Sequence, residues 1–138
     1  MCIRDRASGD LSSIITFQPS VSYLRSLELM YDADALLMIE ADAPDTPFMP
    51  SKLTDYIGAN TPILGIVPSG ECRDVLTALG APVHNGADVE GIAASIEAMV
   101  DRPPSARATW CDQRLRRSFD LRHRQDGLAA IVREACGT

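Results

Sequence analysis

The sequence predicts an α/β domain, in which a parallel sheet carries helices on both faces and a helical tail follows. Two apolar runs, ALLMI at 35–39 and ILGIV at 63–67, do not alternate with polar residues, which is typical of strands covered on both faces. Segments with apolar residues at helical spacing stand between these runs, and Gly and Pro mark their ends. Strands that alternate with helices in this way form parallel sheets.

Four strands are predicted, at 14–17 (IITF), 35–39, 63–67 and 82–84. A first helix follows Pro19, with Ser20 as its predicted N-cap. A second runs from Ser51 to about Ala59, and a third follows PSGE and ends at Gly80. The fourth helix is predicted to be capped by Asp88. Its apolar spacing predicts an inner face that consists of Ile92, Ile96, Met99 and Val100.

The paired prolines of DRPPSAR end this pattern, because proline cannot continue a helix. The Arg-rich remainder is predicted to be helical, with Leu128, Ile131, Val132 and Cys136 at helical spacing. The predicted organisation is therefore a non-native or disordered leader at 1–13, an α/β domain at 14–102 and a C-terminal helical segment at 103–138.

Composition excludes several classes of protein. The chain has 138 residues and a net charge of −6, which suits one acidic domain and argues against a nucleic-acid partner. No apolar run reaches membrane-spanning length, and the first residues lack the apolar segment of a signal peptide, so a cytoplasmic protein is expected. Eight of the 13 basic residues lie in the last 37 positions. They form either a solvated helix face or a surface for anionic lipid or another domain.

The cysteines and histidines do not predict a metal site. Cys2, Cys72, Cys111 and Cys136 lie far apart without CxxC spacing, which indicates free or buried thiols. His84 and His123 are isolated in the sequence and are interpreted as structural or exposed. We therefore assign no catalytic residue, no metal ligand and no cofactor.

The stretch FMPSKLTDYIGANTPILGIVPSG at 48–70 carries the chemistry. It holds the only lysine, Lys52, at a helix start that should lie at the carboxyl edge of the sheet. The backbone N–H groups of Ser51, Lys52, Leu53 and Thr54 would form a phosphate cradle there, with the Lys52 charge beside it. Asp55 follows about 6 Å along the helix axis and can accept hydrogen bonds from the two hydroxyls of a ribose. A capped surface helix with a first-turn acid is the alternative.

The segment from SLELMYDADALLMIEAD to PFMPSKLTDYIGANTPILGIVPSGE resembles the C-terminal domain of retaining GT-B glycosyltransferases of family 4. That family carries Pro-Ser-Lys-Leu-x-Glu-Tyr-x-Gly-Ala-x-x-Pro-Ile-Leu in its nucleotide-sugar pocket. The match covers about Val21 to Val100, and SFDLRHRQDGLAAIV resembles the family's last helices. The resemblance implies a partial Rossmann-like sheet, the C-terminal half of a donor-binding domain. It also implies that Ser51 to Thr54 bind the donor diphosphate and that Asp55 binds the donor ribose.

Two positions depart from the family pattern. Asp55 stands where the family has a ribose-binding glutamate, one methylene longer. Many relatives also have a glutamate eight positions earlier, where this chain has Pro47. That role is either absent or moved to Glu40, Asp42 or Asp45, which otherwise form a solvated acidic loop.

The resemblance implies a parent enzyme that transfers a hexose or similar sugar from a nucleotide diphosphate to an acceptor with retention. Its partners would be the nucleotide-diphosphate sugar and the missing N-terminal acceptor domain, with peripheral membrane contact as a further expectation for the parent. The chain alone is expected to be inactive. A GT-B nucleotide-sugar epimerase, a non-catalytic flavodoxin-like module and a structural domain without ligand are the alternatives.

The resemblance also predicts the order of the strands. Segment 35–39 should pair in parallel with 63–67, and 63–67 with 82–84. Segment 14–17 would have lost its neighbouring strands. It should therefore either stay outside the sheet or lie against the open edge of 35–39.

Overall fold

The computed structural model describes residues 14–102 and 109–136. Within them a three-stranded sheet has the order β1 (Leu36–Ile39), β2 (Ile63–Ile66), β3 (Val83–His84). Both pairings are parallel, with Leu36 opposite Ile63 and Gly65 opposite Val83. The predicted α/β class and the two predicted strand pairings are therefore confirmed. The leader at 1–13 lies outside the described residues.

The prediction of a strand at 14–17 is wrong, whereas the prediction that this segment either stays outside the sheet or lies against 35–39 is confirmed in its first form. The segment stays outside the sheet, and the side chains of Ile14, Ile15 and Phe17 are 76%, 41% and 42% exposed. Apolar β-prone residues form a stable strand only where a neighbouring strand or helix covers them. Within the described residues, this segment receives no such cover from the sheet.

Four helices accompany the strands: α1 (Tyr23–Asp32), α2 (Ser51–Ala59), α3 (Glu71–Leu79) and α4 (Val89–Val100). Helix α1 begins later than predicted, because the hydroxyl of Ser22, not of Ser20, accepts from the Arg25 N–H. The predicted cap of α4 is confirmed, since the Asp88 carboxylate accepts from the Gly91 N–H at 3.0 Å. Gly80 ends α3 in the left-handed conformation, at φ 87°.

The core lies on the face of the sheet that carries Leu36 and Met38. Helices α2 and α3 pack there through residues that are almost completely buried: Leu53, Ile57, Cys72, Leu76 and Leu79. Gly65 permits the close approach of α3, because a Cβ at this position would lie 2.8 Å from the Leu76 Cδ1. Helix α1 joins this layer, and the Thr61 hydroxyl donates to the Met30 carbonyl at 2.8 Å.

Helix α4 covers only part of the opposite face. Leu64 is buried beneath it, but on β1 the side chains of Leu37 and Ile39 are 45% and 61% exposed. The prediction that Ile96 and Val100 point into a core is wrong, because they are 48% and 78% exposed. Helices thus lie on both faces of the sheet, and one face is covered incompletely.

Over the described residues 109–136 the tail contains two helices, α5 (Gln113–Ser118) and α6 (Leu121–Cys136), as predicted for the Arg-rich segment. The tail is attached through Trp110, which is buried in the core, and through the Asp112 N–H, which donates to the Leu79 carbonyl at 2.9 Å. Of the four residues predicted at helical spacing, Ile131 and Cys136 are exposed, and the side chains of Leu128 and Val132 lie outside the described residues. None of the helices in 14–102 and 109–136 combines the length and the apolar character needed to cross a bilayer.

Candidate functional site

The N-terminus of α2 lies at the carboxyl edge of the sheet, as predicted. The chain leaves β1 at Ile39, crosses the loop at 40–50 and enters α2 at Ser51. Pro50 occupies the N-cap position and forms no side-chain capping bond. Proline has no N–H and its fixed φ suits a helix start. The first turn is therefore not capped by its own N-cap residue.

Four backbone amides were predicted to form the phosphate cradle, and two of them make no hydrogen bond within α2. The Leu53 N–H donates to the Pro50 carbonyl at 2.9 Å, which tightens the first turn. In an α-helix that begins at Ser51, the Thr54 N–H makes the first regular bond, also to Pro50. The amides of Ser51 and Lys52 are left to face outward at the positive end of the helix dipole.

The side chains of these four residues also differ in their exposure and in their hydrogen bonds. Ser51 and Lys52 are exposed, and within the described residues Lys52 makes no salt bridge. Leu53 is fully buried and holds α2 on the sheet. The Thr54 hydroxyl donates to the Ser51 carbonyl at 2.6 Å, so its proton is already used. An anion at this helix end would therefore meet the two outward amides and the Lys52 ammonium.

Asp55 lies one turn further along α2, at the side of a groove between α1 and α2. The groove has a volume of about 550 Å³ and is lined by both helices, among others by Tyr23, Leu27, Tyr31, Asp55 and Gly58. The Tyr23 hydroxyl donates to the Asp55 Oδ1 at 3.1 Å. That hydrogen bond, and then the charge of Asp55, raises the pKa of the Tyr23 hydroxyl above its usual value. The sequence did not indicate Tyr23, because 32 residues separate it from Asp55.

The acidic loop contains one carboxylate that differs from the others. Asp42 and Asp45 are exposed, whereas Glu40 is half-buried and its Oε2 atom is buried without a hydrogen-bond partner in the described residues. Glu40 directly follows β1, and its N–H donates to the Ile66 carbonyl at 3.1 Å. Burial, and then the charge of Glu40, raises the pKa of the Cys72 thiol to about 11. Of the three acids considered for the sugar-binding role, Glu40 is the one held at the sheet edge.

A backbone contact holds the acidic loop against the turn between β2 and α3. The Thr46 N–H donates to the Ser69 carbonyl at 3.0 Å, and the Glu71 N–H donates to the Thr46 carbonyl at 3.3 Å. Gly70 makes this approach possible, because its φ is 132° and a Cβ there would collide with the Thr46 backbone. The two loops at the carboxyl edge thus form one connected wall beside the start of α2.

His84 has two side-chain partners in the structure. Its Nδ1 lies 2.7 Å from the Asp88 Oδ2 and its Nε2 lies 2.8 Å from the Ser95 Oγ, which connects β3 to α4. The hydrogen bond to His84, and then the Gly91 N–H, lowers the pKa of Asp88. Although the order Asp–His–Ser matches that of a hydrolytic triad, Ser95 lies within a helix whose amides are bonded internally and cannot form an oxyanion hole. We interpret the cluster as structural, as the sequence did for His84.

No group of three potential metal ligands occurs in the described part of the chain. No protein-family model matches the chain, and neither a curated protein nor a solved structure matches it significantly. The site must therefore be interpreted from its own geometry and from the sequence motif.

Proposed function

We propose that this chain supplies part of the nucleotide-sugar site of a retaining GT-B glycosyltransferase, within a partial Rossmann-like donor domain. The observation that carries the proposal is the open N-terminus of α2. It presents the Ser51 and Lys52 amides and the Lys52 ammonium at the carboxyl edge of a parallel sheet, with Asp55 one turn further along. Parallel α/β sheets bind ligands at this edge, and helix N-termini favour phosphate.

The arrangement suits a nucleoside diphosphate that lies along α2. The diphosphate would meet the first turn, and the ribose hydroxyls would donate to Asp55 at the mouth of the α1–α2 groove. To accept the ribose, Asp55 must exchange the hydrogen bond from Tyr23 for hydrogen bonds from the ligand. Tyr23 is 62% exposed, so its hydroxyl can turn to water and this exchange leaves no buried group without a partner.

The chemistry would rest on positioning and on charge. As the sugar leaves, negative charge grows on the diphosphate, and the helix amides with Lys52 would stabilise it. Glu40 is the carboxylate that we assign to the sugar side, because it is fixed at the end of β1 and its Oε2 lacks a partner in the described residues. A separate domain would supply the acceptor, and the reaction needs no cofactor.

The first prediction concerns Lys52. Lys52→Ala should weaken the binding of a nucleoside diphosphate by about 1.5–3 kcal/mol, which is roughly 10- to 150-fold in Kd, because a charge-assisted phosphate contact is lost. Binding of the matching nucleoside should remain unchanged. Titration calorimetry with a panel of nucleoside diphosphates and nucleosides measures both quantities. Arg114→Ala, at an exposed arginine on α5, is the control for the loss of one positive charge.

Equal losses for the nucleoside and the diphosphate would remove Lys52 from a phosphate site. The absence of binding to every diphosphate in the panel would count against the whole proposal, and would favour the flavodoxin-like or ligand-free alternatives.

The second prediction concerns Asp55. Asp55→Ala should weaken the binding of a ribonucleotide more than the binding of its 2′-deoxy analogue, because the analogue lacks one of the two hydroxyl donors. Asp55→Glu should keep or improve affinity, and Tyr23→Phe should not weaken it, because this change only releases Asp55 from an internal hydrogen bond. The same calorimetric titrations test all three variants. An identical penalty for both nucleotides in Asp55→Ala would make Asp55 only an acid near the N-terminal end of α2 that interacts with the helix dipole.

A further inference from the structure

The groove between α1 and α2 continues beyond Asp55, away from the proposed phosphate site. Gly58 lies one turn further along α2, about 4.5 Å from Asp55 along the helix axis. A Cβ at Gly58 would meet nothing within 4 Å, so the groove is open at this point. Both helices pack on the face of the sheet that carries Leu36 and Met38, and the groove does not involve the outer edge of β1. A nucleotide whose ribose meets Asp55 therefore has room for its base at the next turn of α2.

The α1 wall of this groove carries two tyrosines. Tyr23, Leu27 and Tyr31 are spaced four residues apart, so they lie along one side of α1. The two tyrosines are 62% and 65% exposed. Aromatic rings beside an open groove provide faces on which a base can stack. When Asp55 exchanges the hydrogen bond from Tyr23 for those of the ribose, the Tyr23 ring can turn over the base.

The charges in the groove are acidic. Glu28 and Asp32 line it and are exposed, and none of the described residues that line it is basic. Glu28 forms an ion pair with Arg25 through its Oε2 atom, at 2.8 Å. A carboxylate has about four acceptor sites, so Glu28 can accept two further N–H donors. The groove therefore favours a base that presents donors and disfavours one that presents acceptors.

We propose that this groove binds the base of the donor nucleotide and that the base is guanine. The inference rests on the proposed function, because it extends the ligand that meets the start of α2 and Asp55. Guanine presents N1–H and N2–H side by side on its Watson–Crick edge, and these two donors match the carboxylate of Glu28. Uracil presents one N–H between two carbonyl oxygens, and adenine and cytosine present one amino group beside a ring-nitrogen acceptor. Those acceptors would face the carboxylates of Glu28 and Asp32.

Calorimetric titration of the unmodified chain with the diphosphates of guanosine, adenosine, cytidine and uridine tests the choice of base. Guanosine diphosphate should bind about tenfold more tightly than each of the others, because only guanine gives both hydrogen bonds to a charged acceptor. Equal affinity for the four nucleotides, or a preference for another base, would overturn the inference and leave the proposed nucleotide site intact. Failure of all four nucleotides and of inorganic diphosphate to bind would instead overturn the proposed function, and the inference with it.

Variants then locate the base. Glu28→Gln should reduce the affinity for guanosine diphosphate about tenfold and should not weaken the binding of uridine diphosphate. Glu97→Gln is the matched control, since Glu97 is exposed on α4 and does not line the groove. Gly58→Leu fills the groove and should weaken guanosine diphosphate but not inorganic diphosphate. If Glu28→Gln changed the affinity for guanosine diphosphate no more than Glu97→Gln does, the base would not lie in this groove.

Discussion

Gly70→Ala is expected to lower the free energy of unfolding by roughly 3 kcal/mol or more. Gly70 has a φ of 132° and a ψ of −170°, a backbone conformation that is essentially restricted to glycine. A Cβ would collide with the carbonyl of Thr46, whose position is fixed by its bond from the Glu71 N–H. The chain must therefore give up either the Gly70 conformation or the contact between the two loops. Urea denaturation followed by circular dichroism measures the loss.

Gly58→Ala is the matched control for this prediction. Gly58 lies in α2 with an ordinary helical φ, and a Cβ there would meet nothing within 4 Å. Alanine at such a site should stabilise the protein by about 0.5–1 kcal/mol, because glycine loses more backbone entropy on folding. If the two variants changed stability equally, the close approach of Gly70 to Thr46 would not exist in solution.

Gly70→Ala also tests whether the wall of the site depends on this contact. Separation of the loops would move the part of the acidic loop around Thr46 and the start of α3, but α2 is held independently by Leu53 and Ile57. Under native conditions, the variant should therefore keep the effect of Lys52 on diphosphate binding, even though it is less stable.

The sheet could be predicted from the sequence because its central strand is buried on both faces. Ile63 and Leu64 are both buried, and a run without alternation is what such a strand requires. Segment 14–17 is similarly rich in apolar residues but has no strand beside it, so local propensity alone gave the wrong prediction. The exposure of Ile96 and Val100 could not be predicted either. Helical spacing identifies an apolar face but not whether anything covers it.

The candidate site was predictable only where its chemistry is local in sequence. The start of α2 at Ser51 and the position of Asp55 one turn later follow from the pattern. The Leu53 N–H donates to the Pro50 carbonyl and is therefore not available to a phosphate. This hydrogen bond depends on the geometry of one turn, which the spacing of residues in the sequence does not indicate. The Tyr23–Asp55 bond, the Glu40–Cys72 proximity and the Thr46–Gly70 contact join residues at least 24 positions apart. Such contacts depend on how the helices pack, and only the structure shows them.

Packing and function are connected most directly at Leu53. Its neighbour Lys52 is exposed at the proposed phosphate site, and Leu53 itself is completely buried between α2 and the sheet. The position of the Lys52 amide and ammonium therefore depends on an apolar contact that no ligand touches.

Leu53→Ala should lower the free energy of unfolding by about 2–5 kcal/mol, because it removes buried methyl groups and leaves a cavity that the packed core fills only partly. Thr54→Ala is the matched control one residue away. Thr54 is exposed and its hydroxyl only returns to the Ser51 carbonyl, so the change should stay within about 1 kcal/mol. Denaturation curves for both variants measure the difference, and Leu53→Val should give an intermediate loss because it removes less volume. If Leu53→Ala proved no more destabilising than Thr54→Ala, α2 would not be packed on the sheet in solution, and its N-terminus would have no fixed position from which to bind a phosphate.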